Sequence, residues 1–472
     1  MSETVVIPQE EQQSLWSAVK ESIRGSHRDY TRGPIGRAIL LLAVPMVLEM
    51  IMESIFAVVD IFWVSHLGTD AAATVGLTES LMTLVYALAI GLSIGAMAMI
   101  ARRIGEKNPD GAARAAVQAI ALAVIVSIVI GAIGAPLAPK LLALMGGSPW
   151  VIEHGSAFTR VMLACNISVV MLFMINAIFR GAGDAAIAMR TLWLANWINI
   201  VLGPCLIFGL GPFPKLGIVG AAIATSIGRG TGAIFALIKL FRSGGRFEIQ
   251  RQHLRIEPSI IGRLIRLSAT GTFQVFIGMA SWIGLVRIIS SFGSNAVAGY
   301  TFGIRVILFA LLPSWGMANA AATMVGQALG AKDPERAERA VWKAGFYNMI
   351  FLGVVGLLFI FFAPQIIWFY TDDPNVAHYG VDCLRIVAYG FLFYAYGMVL
   401  GQSFNGAGDT WTPTIINLFV FWLWEIPLAY VLSMKVGMGP RGVFVAMMVA
   451  FSTLAVVSAV VFRLGRWKKK AV

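Results

Sequence analysis

Arg180-Gly181-Ala182-Gly183-Asp184 returns 225 residues later as Asn405-Gly406-Ala407-Gly408-Asp409. The same offset pairs Gly68 with Gly293, Gly91 with Gly316, Gly105 with Gly330 and Gly155 with Gly380. It also pairs Pro109 with Pro334, Pro139 with Pro364 and Pro149 with Pro374, without a gap over more than 100 residues. Glycine frees the backbone and proline restricts it, so matches of these residue types report repeated backbone features. The chain therefore reads as two copies of one architectural unit.

What each copy contains follows from composition. Of the 472 residues, 58% are hydrophobic and 13% charged, against about 25% charged in soluble domains. Twelve apolar stretches lie at roughly 38–64, 72–101, 115–138, 155–179, 191–211, 218–238, 267–291, 296–327, 344–363, 381–404, 413–433 and 442–462. About 20 apolar residues cross a hydrocarbon core of about 30 Å, and backbone groups inside lipid must be paired within the segment. The predicted fold is all-α and integral to the membrane, with twelve transmembrane helices in two pseudo-symmetric six-helix lobes. The expected organisation is an N-terminal segment 1–37, a first lobe 38–241, a linker 242–266, a second lobe 267–462 and a basic tail 463–472. Six crossings return the chain to its starting side, so both lobes share one orientation, and parallel repeats of this kind favour rocking about a central site.

Charge sets the sidedness. With the N-terminus inside, 27 of the 36 Lys and Arg residues fall in inside segments, and only Lys140, Lys215, Lys435 and Arg441 fall outside. This bias predicts cytoplasmic termini in a multi-pass protein of the plasma (inner) membrane. The net charge of +12 lies in short loops between spans, which speaks against a nucleic-acid partner. Cys165, Cys205 and Cys383 are scattered in apolar spans and form neither a disulfide framework nor a metal motif. The polar start has no apolar core near residue 1, so no cleaved signal peptide is expected.

The first span carries Glu49, Glu53 and Asp60 at spacings of four and seven, within an arc of about 40° on one helix face. Each carboxylate near a helix centre costs roughly 2.5–3.5 kcal/mol on insertion scales. A water-filled cavity on that face removes most of this cost and suits a carrier coupled to protons or sodium. Phe56 shares the face. Pro45, four residues before Glu49, marks a kink or hinge. Glu79 at the start of the second span and Glu425 in the eleventh are further candidates, with Arg287 and Arg305 as possible partners of Glu425.

With these residues in view, the chain resembles the multidrug and toxic compound extrusion (MATE) family over residues 35–465. The resemblance rests on Pro45 before Asp60, on Ile61-Phe62-Trp63-Val64-Ser65-His66-Leu67-Gly68, on the duplicated Gly-Ala-Gly-Asp segment and on Gly326-Gln327-Ala328-Leu329-Gly330-Ala331. It implies secondary active export of amphipathic or cationic small molecules in exchange for H+ or Na+, by alternating access of two lobes, with no cofactor. It further implies that Asp60 belongs to a cation site shared with Asn199. Relatives carry an aspartate four residues after that asparagine; here the position is Gly203. Another subgroup uses carboxylates of the seventh and tenth helices, where this chain offers Gln274 and Asp382. The expected partners are a small-molecule substrate and the lipid bilayer, and a monomer is the default for a pseudo-symmetric carrier.

A flippase for lipid-linked oligosaccharides, of related topology and with a cationic cavity, is the alternative, and Arg160, Arg229, Arg287, Arg305 and Arg385 keep it in view. An enzyme is not expected. His27, His66, His154, His253 and His378 form no metal pair or catalytic motif, and neither a Gly-x-Ser-x-Gly elbow nor a P-loop is present.

Overall fold

A computed structural model describes residues 15–26, 28–242 and 245–470. Residues 1–14 and His27 of the N-terminal segment, 243–244 of the linker and 471–472 of the tail lie outside it. Among the described residues the chain is helical without strands. A short amphipathic helix, α1 (Leu15–Arg24), precedes α2 (Ile35–Ser65), α3 (Thr69–Gly105) and α4 (Pro109–Leu144). Then come α5 (Ser156–Ala164), α6 (Asn166–Ala182), α7 (Ala185–Phe208) and α8 (Ile218–Phe241). The second copy holds α9 (Pro258–Ser290), α10 (Ser294–Gly330), α11 (Pro334–Trp368), α12 (Pro374–Ala388) and α13 (Phe391–Gly406). It ends with α14 (Trp411–Asn417), α15 (Ile426–Tyr430) and α16 (Pro440–Arg463).

Among the described residues, eleven helices are long and apolar enough to cross a membrane, and a twelfth span forms if α12 and α13, bent by 62°, count as one. The expected tenth span is thus broken, at Tyr389-Gly390. The eleventh spans Trp411–Lys435 but contains wide π-helical segments at Leu418–Glu425 and Val431–Lys435. Apolar length alone carries no signal for such bends. Helix ends also run past the apolar stretches: α9 begins at Pro258, so Arg263 and Arg266, read above as linker, lie in its polar first turns.

The repeat is visible in the turns. Lys107 and Lys332 both take positive φ, 58° and 60°. Each precedes a capping residue, Asn108 or Asp333, whose side chain accepts from the backbone N–H three residues on, and then a proline in the first helical turn. That combination caps and starts a helix in one stroke, so α4 and α11 begin in the same way.

The two packed cores do not follow the expected lobe boundaries. Ala38, Ile39, Leu42 and Met46 of α2 pack into the core of the second copy, whereas Ile260, Leu264 and Leu267 of α9 pack into that of the first. Each copy's first helix starts in the other copy's core. The duplicated glycines mark where this exchange requires backbones to touch. A Cβ at Gly91 would overlap Thr272 of α9, and one at Gly316 would sit 2.6 Å from the Met46 carbonyl oxygen of α2. Gly105 and Gly330 cross each other, against the Gln327 and Arg102 carbonyls respectively. Such small-residue contacts are how membrane helices approach closely. Gly105→Val is expected to push α3 and α10 apart, costing about 1–3 kcal/mol as overpacking, and a drop in the thermal midpoint of the purified protein, absent in Gly76→Val where no atom lies within 4 Å, is the measurement.

Candidate functional site

The acids of α2 come with their own counter-charges. Glu49 is 1% exposed. Its Oε1 accepts from Arg180 Nη1 and from Asn176 Nδ2, both at 3.1 Å and both from α6. Glu53, one turn on, accepts from Arg229 Nη2 of α8 at 2.8 Å and from Asn196 Nδ2 of α7 at 3.0 Å. The Arg229 guanidinium also lies 5.3 Å from the centre of the buried Phe56 ring. The expected open acidic face is therefore, in its first two members, a pair of ion pairs. Insertion penalties explain it: an unpaired carboxylate and an unpaired guanidinium each resist burial, and pairing lowers both penalties. Sequence reading placed Arg229 among the intramembrane charges and Arg180 in a motif, but assigned neither to a site. Their depth in apolar spans was the available signal.

Asp60 differs. It is half-buried on α2 and has no hydrogen-bond or ion-pair partner among the described residues. The charges that reach it are those of Glu79 and Arg229. Asn199 is buried on α7, but its amide donates to Thr225 Oγ1 at 2.8 Å rather than to Asp60. Glu79 is exposed on α3, and the charge that reaches it is that of Arg305, on α10 of the other copy.

Glu49 and Glu53 line a cavity of about 290 Å³ with Tyr86, Phe173, Asn176 and Arg180, which also touches Met279, Leu312, Trp315 and Gln402 of the second copy. A second cavity of about 530 Å³ shares Thr83, Met279, Trp315 and Gln402 with the first and continues past Gln274, Trp282, Tyr394, Phe421 and Phe451. Neither is lined by Asp60 or Asn199. The two cavities are copies. At the repeat offset, Glu49, Met50 and Glu53 correspond to Gln274, Val275 and Gly278, and Leu172, Phe173, Asn176 and Ala177 correspond to Gly397, Met398, Gly401 and Gln402. The second cavity thus repeats the first with its charges removed. Gln274 is buried there and its Oε1 has no partner. Glu425 lies at the end of the π-helical segment, 2% exposed; its Oε2 is unpartnered, and it pairs with neither Arg287 nor Arg305. Asp382 is occupied by Arg441 at 2.6 Å.

The end of the bundle that carries the basic loops is closed by bonds between the copies. Gln327 Nε2 of α10 donates to the Gly181 and Ala182 carbonyls, at 3.1 Å each, and Thr323 Oγ1 donates to the Arg180 carbonyl at 3.0 Å. In the opposite sense, Arg102 Nη2 of α3 donates to the Ala407 carbonyl at 3.2 Å. Arg102 and Gln327 are equivalent at the repeat offset, as are Ala182 and Ala407, so each copy binds the same carbonyl of the other. The duplicated aspartates play matching parts. Asp184 lies 3.4 Å from Arg246, in the loop after the first copy, and Asp409 lies 3.1 Å from Lys470, in the tail after the second. Gly183 and Gly408 both hold positive φ, 91° and 82°, which lets the chain turn out of α6 and α13 directly onto these contacts.

A duplicated helical bundle, joined at one end, with two adjoining cavities between its copies, defines a membrane carrier, and the chain's relatives agree. The family model MatE matches residues 45–205 and again 271–431, once per copy. The chain belongs to the MatE family and is a multi-pass membrane transporter. It is 26% identical over 444 residues to the probable multidrug resistance protein YoeA of Bacillus subtilis, covering 93% of this chain and 95% of that protein. It is also 26% identical over 441 residues to the probable multidrug resistance protein NorM of Thermotoga maritima, covering 93% and 94%. Among solved structures it matches the outward-facing conformation of a multidrug resistance MATE family transporter of the MOP superfamily, with TM-score 0.88, 28% identity and coverage of 93% and 98%.

Proposed function

We propose that the protein exports small amphipathic, cationic compounds across the plasma (inner) membrane in exchange for protons, both termini lying in the cytoplasm and a single chain sufficing. The observation that carries this reading is the cavity pair: two adjoining cavities, each lined by both copies, with charged side chains from the first copy alone. The uncharged half, with Trp282, Trp315, Tyr394, Phe421 and Phe451, suits flat apolar cargo, and aromatic faces attract cations. The charged half suits coupling. Glu49 and Glu53 are held by arginines, whereas Asp60 is free to bind and release an ion without breaking an ion pair. Arg229 connects the two, because its charge acts on Glu53 in the cavity wall and on Asp60 beyond it. The relatives named as multidrug resistance proteins support the cargo class.

Proton rather than sodium exchange is supported by the donors at hand. A sodium site needs several oxygens around one ion, and the position that supplies a second carboxylate in relatives is Gly203. With the basic end on the cytoplasmic side, the bonds between the copies would close the cavities toward the cytoplasm. Export of a fluorescent cationic dye by proteoliposomes tests the reading. Efflux is expected under an imposed pH gradient without sodium. Efflux that follows a sodium gradient and ignores pH would reject the proton assignment, and movement of a lipid-linked sugar but no dye would favour the flippase alternative.

A further inference from the structure

A third cavity, of about 340 Å³, lies away from the central one, between the end of α1, the start of α7 and the end of α8. Arg24, Arg190, Lys239 and Arg242 line it, with Asp184 as its one acid, and that acid already faces Arg246. Arg190 Nη2 donates to the carbonyls of Ile23 and Arg24 at 2.8 and 2.9 Å, fixing the end of α1. The side chains of Arg24, Lys239 and Arg242 have no carboxylate partner among the described residues. Four cations around one small cavity repel each other, and among the described residues that line it Asp184 is the one opposite charge.

The surroundings are apolar on the sides that meet lipid. Ile187 and Phe235 lie in the cavity wall itself, and Lys239 Nζ sits 5.7 Å from the Phe235 ring. From there an exposed stripe, Ile234, Ile238 and Phe241, follows α8 at helical spacing. On α1, Trp16 is 80% exposed and shares a face with Lys20 and Ile23, the mix of apolar and basic groups that lies in a membrane interface. We propose that this cavity binds the headgroup of an anionic phospholipid, its acyl chains lying along the α8 stripe. A free anion would satisfy the four cations but makes no use of the stripe or of α1. Basic pockets between membrane helices at the cytoplasmic face are suited to anionic headgroups. The bound lipid would tie α1 and the loop after α8 to the first lobe, next to Asp184 and the inter-copy contacts.

The test uses the full chain in nanodiscs of mixed phosphatidylcholine and phosphatidylglycerol, with the co-purified lipid quantified by mass spectrometry. The parent is expected to retain phosphatidylglycerol preferentially. Each cation removed should weaken that preference about fivefold, so Lys239→Gln with Arg242→Gln should lower it roughly 25-fold. Both side chains are exposed, and neither makes an ion pair, so folding should be unaffected; unchanged dye efflux in the double variant checks this. Lys239→Arg should keep the preference. Equal retention of phosphatidylglycerol by the parent and the double variant overturns the proposal. So does displacement of phosphatidylglycerol by millimolar inorganic phosphate, which would make the site one for free anions.

Discussion

Asp60→Asn abolishes gradient-driven efflux while the protein still folds and inserts: this is the largest functional effect expected of any single side chain here. Three acids share a face of α2, and the structure separates their surroundings. Glu49 and Glu53 have arginine partners at 3.1 and 2.8 Å, so loading or unloading either with a proton disturbs an ion pair. Asp60 has no such partner, and asparagine keeps its shape while removing the exchangeable charge. A carrier exchanges two ligands only if each binds the two states differently, and an uncharged residue 60 gives the proton no differential hold. The measurement is dye efflux from proteoliposomes at equal protein content under one pH gradient. Parent-like rates in Asp60→Asn would remove this residue from the mechanism. Glu53→Gln should slow efflux and shift its pH dependence without abolishing it, because Arg229 then has one carboxylate fewer to answer.

The second large effect is on stability. Arg180→Met leaves the Glu49 carboxylate, 2% exposed, without its counter-charge. Breaking a buried ion pair from one side typically costs about 3–5 kcal/mol, because the remaining charge stays desolvated. The corresponding change at Arg229 should cost less, since the Glu53 side chain is 22% exposed and solvent screens what is left. The second copy shows how the Glu49 site can be built without charge: the positions equivalent to Glu49 and Arg180 are Gln274 and Asn405. The double variant Glu49→Gln with Arg180→Asn reproduces that combination and is expected to recover most of the lost stability. Thermal midpoints of the parent, Glu49→Gln, Arg180→Asn and the double variant in one nanodisc composition form the cycle, and a double variant no more stable than Arg180→Asn would refute this account of the pair.

The helices and their duplication were legible because both rest on local signals: apolar length, and glycine or proline at fixed spacing. The capped turns at Asn108 and Asp333 were likewise carried by two matching Pro residues. The exchange of first helices between cores was not legible, since Ala38 to Met46 is equally apolar whichever core receives it. The π-helical stretch before Glu425 left no trace in composition for the same reason. At the site, the face of α2 was readable from spacing, but its partners come from α6, α7 and α8, up to 176 residues away in sequence. Pairing at that range is decided by packing, so the parts of Arg180, Asn176 and Asn196 as partners of these acids emerged only in the structure. The duplicated Gly-Ala-Gly-Asp segment was the strongest motif in the chain, yet its role is to join the two copies rather than to line the cavity.

That reciprocity, with Arg102 reaching Ala407 and Gln327 reaching Ala182, is the contact rule of an isologous homodimer, in which residue i of one subunit meets j of the other and j meets i. In a true homodimer every substitution appears twice, so a carboxylate placed in one wall is placed in both. Joining the subunits through the segment 242–257 lifts that constraint. One subunit carries Glu49 and Glu53 while its twin carries Gln274 and Gly278, and a symmetric shell thereby encloses a polarised interior.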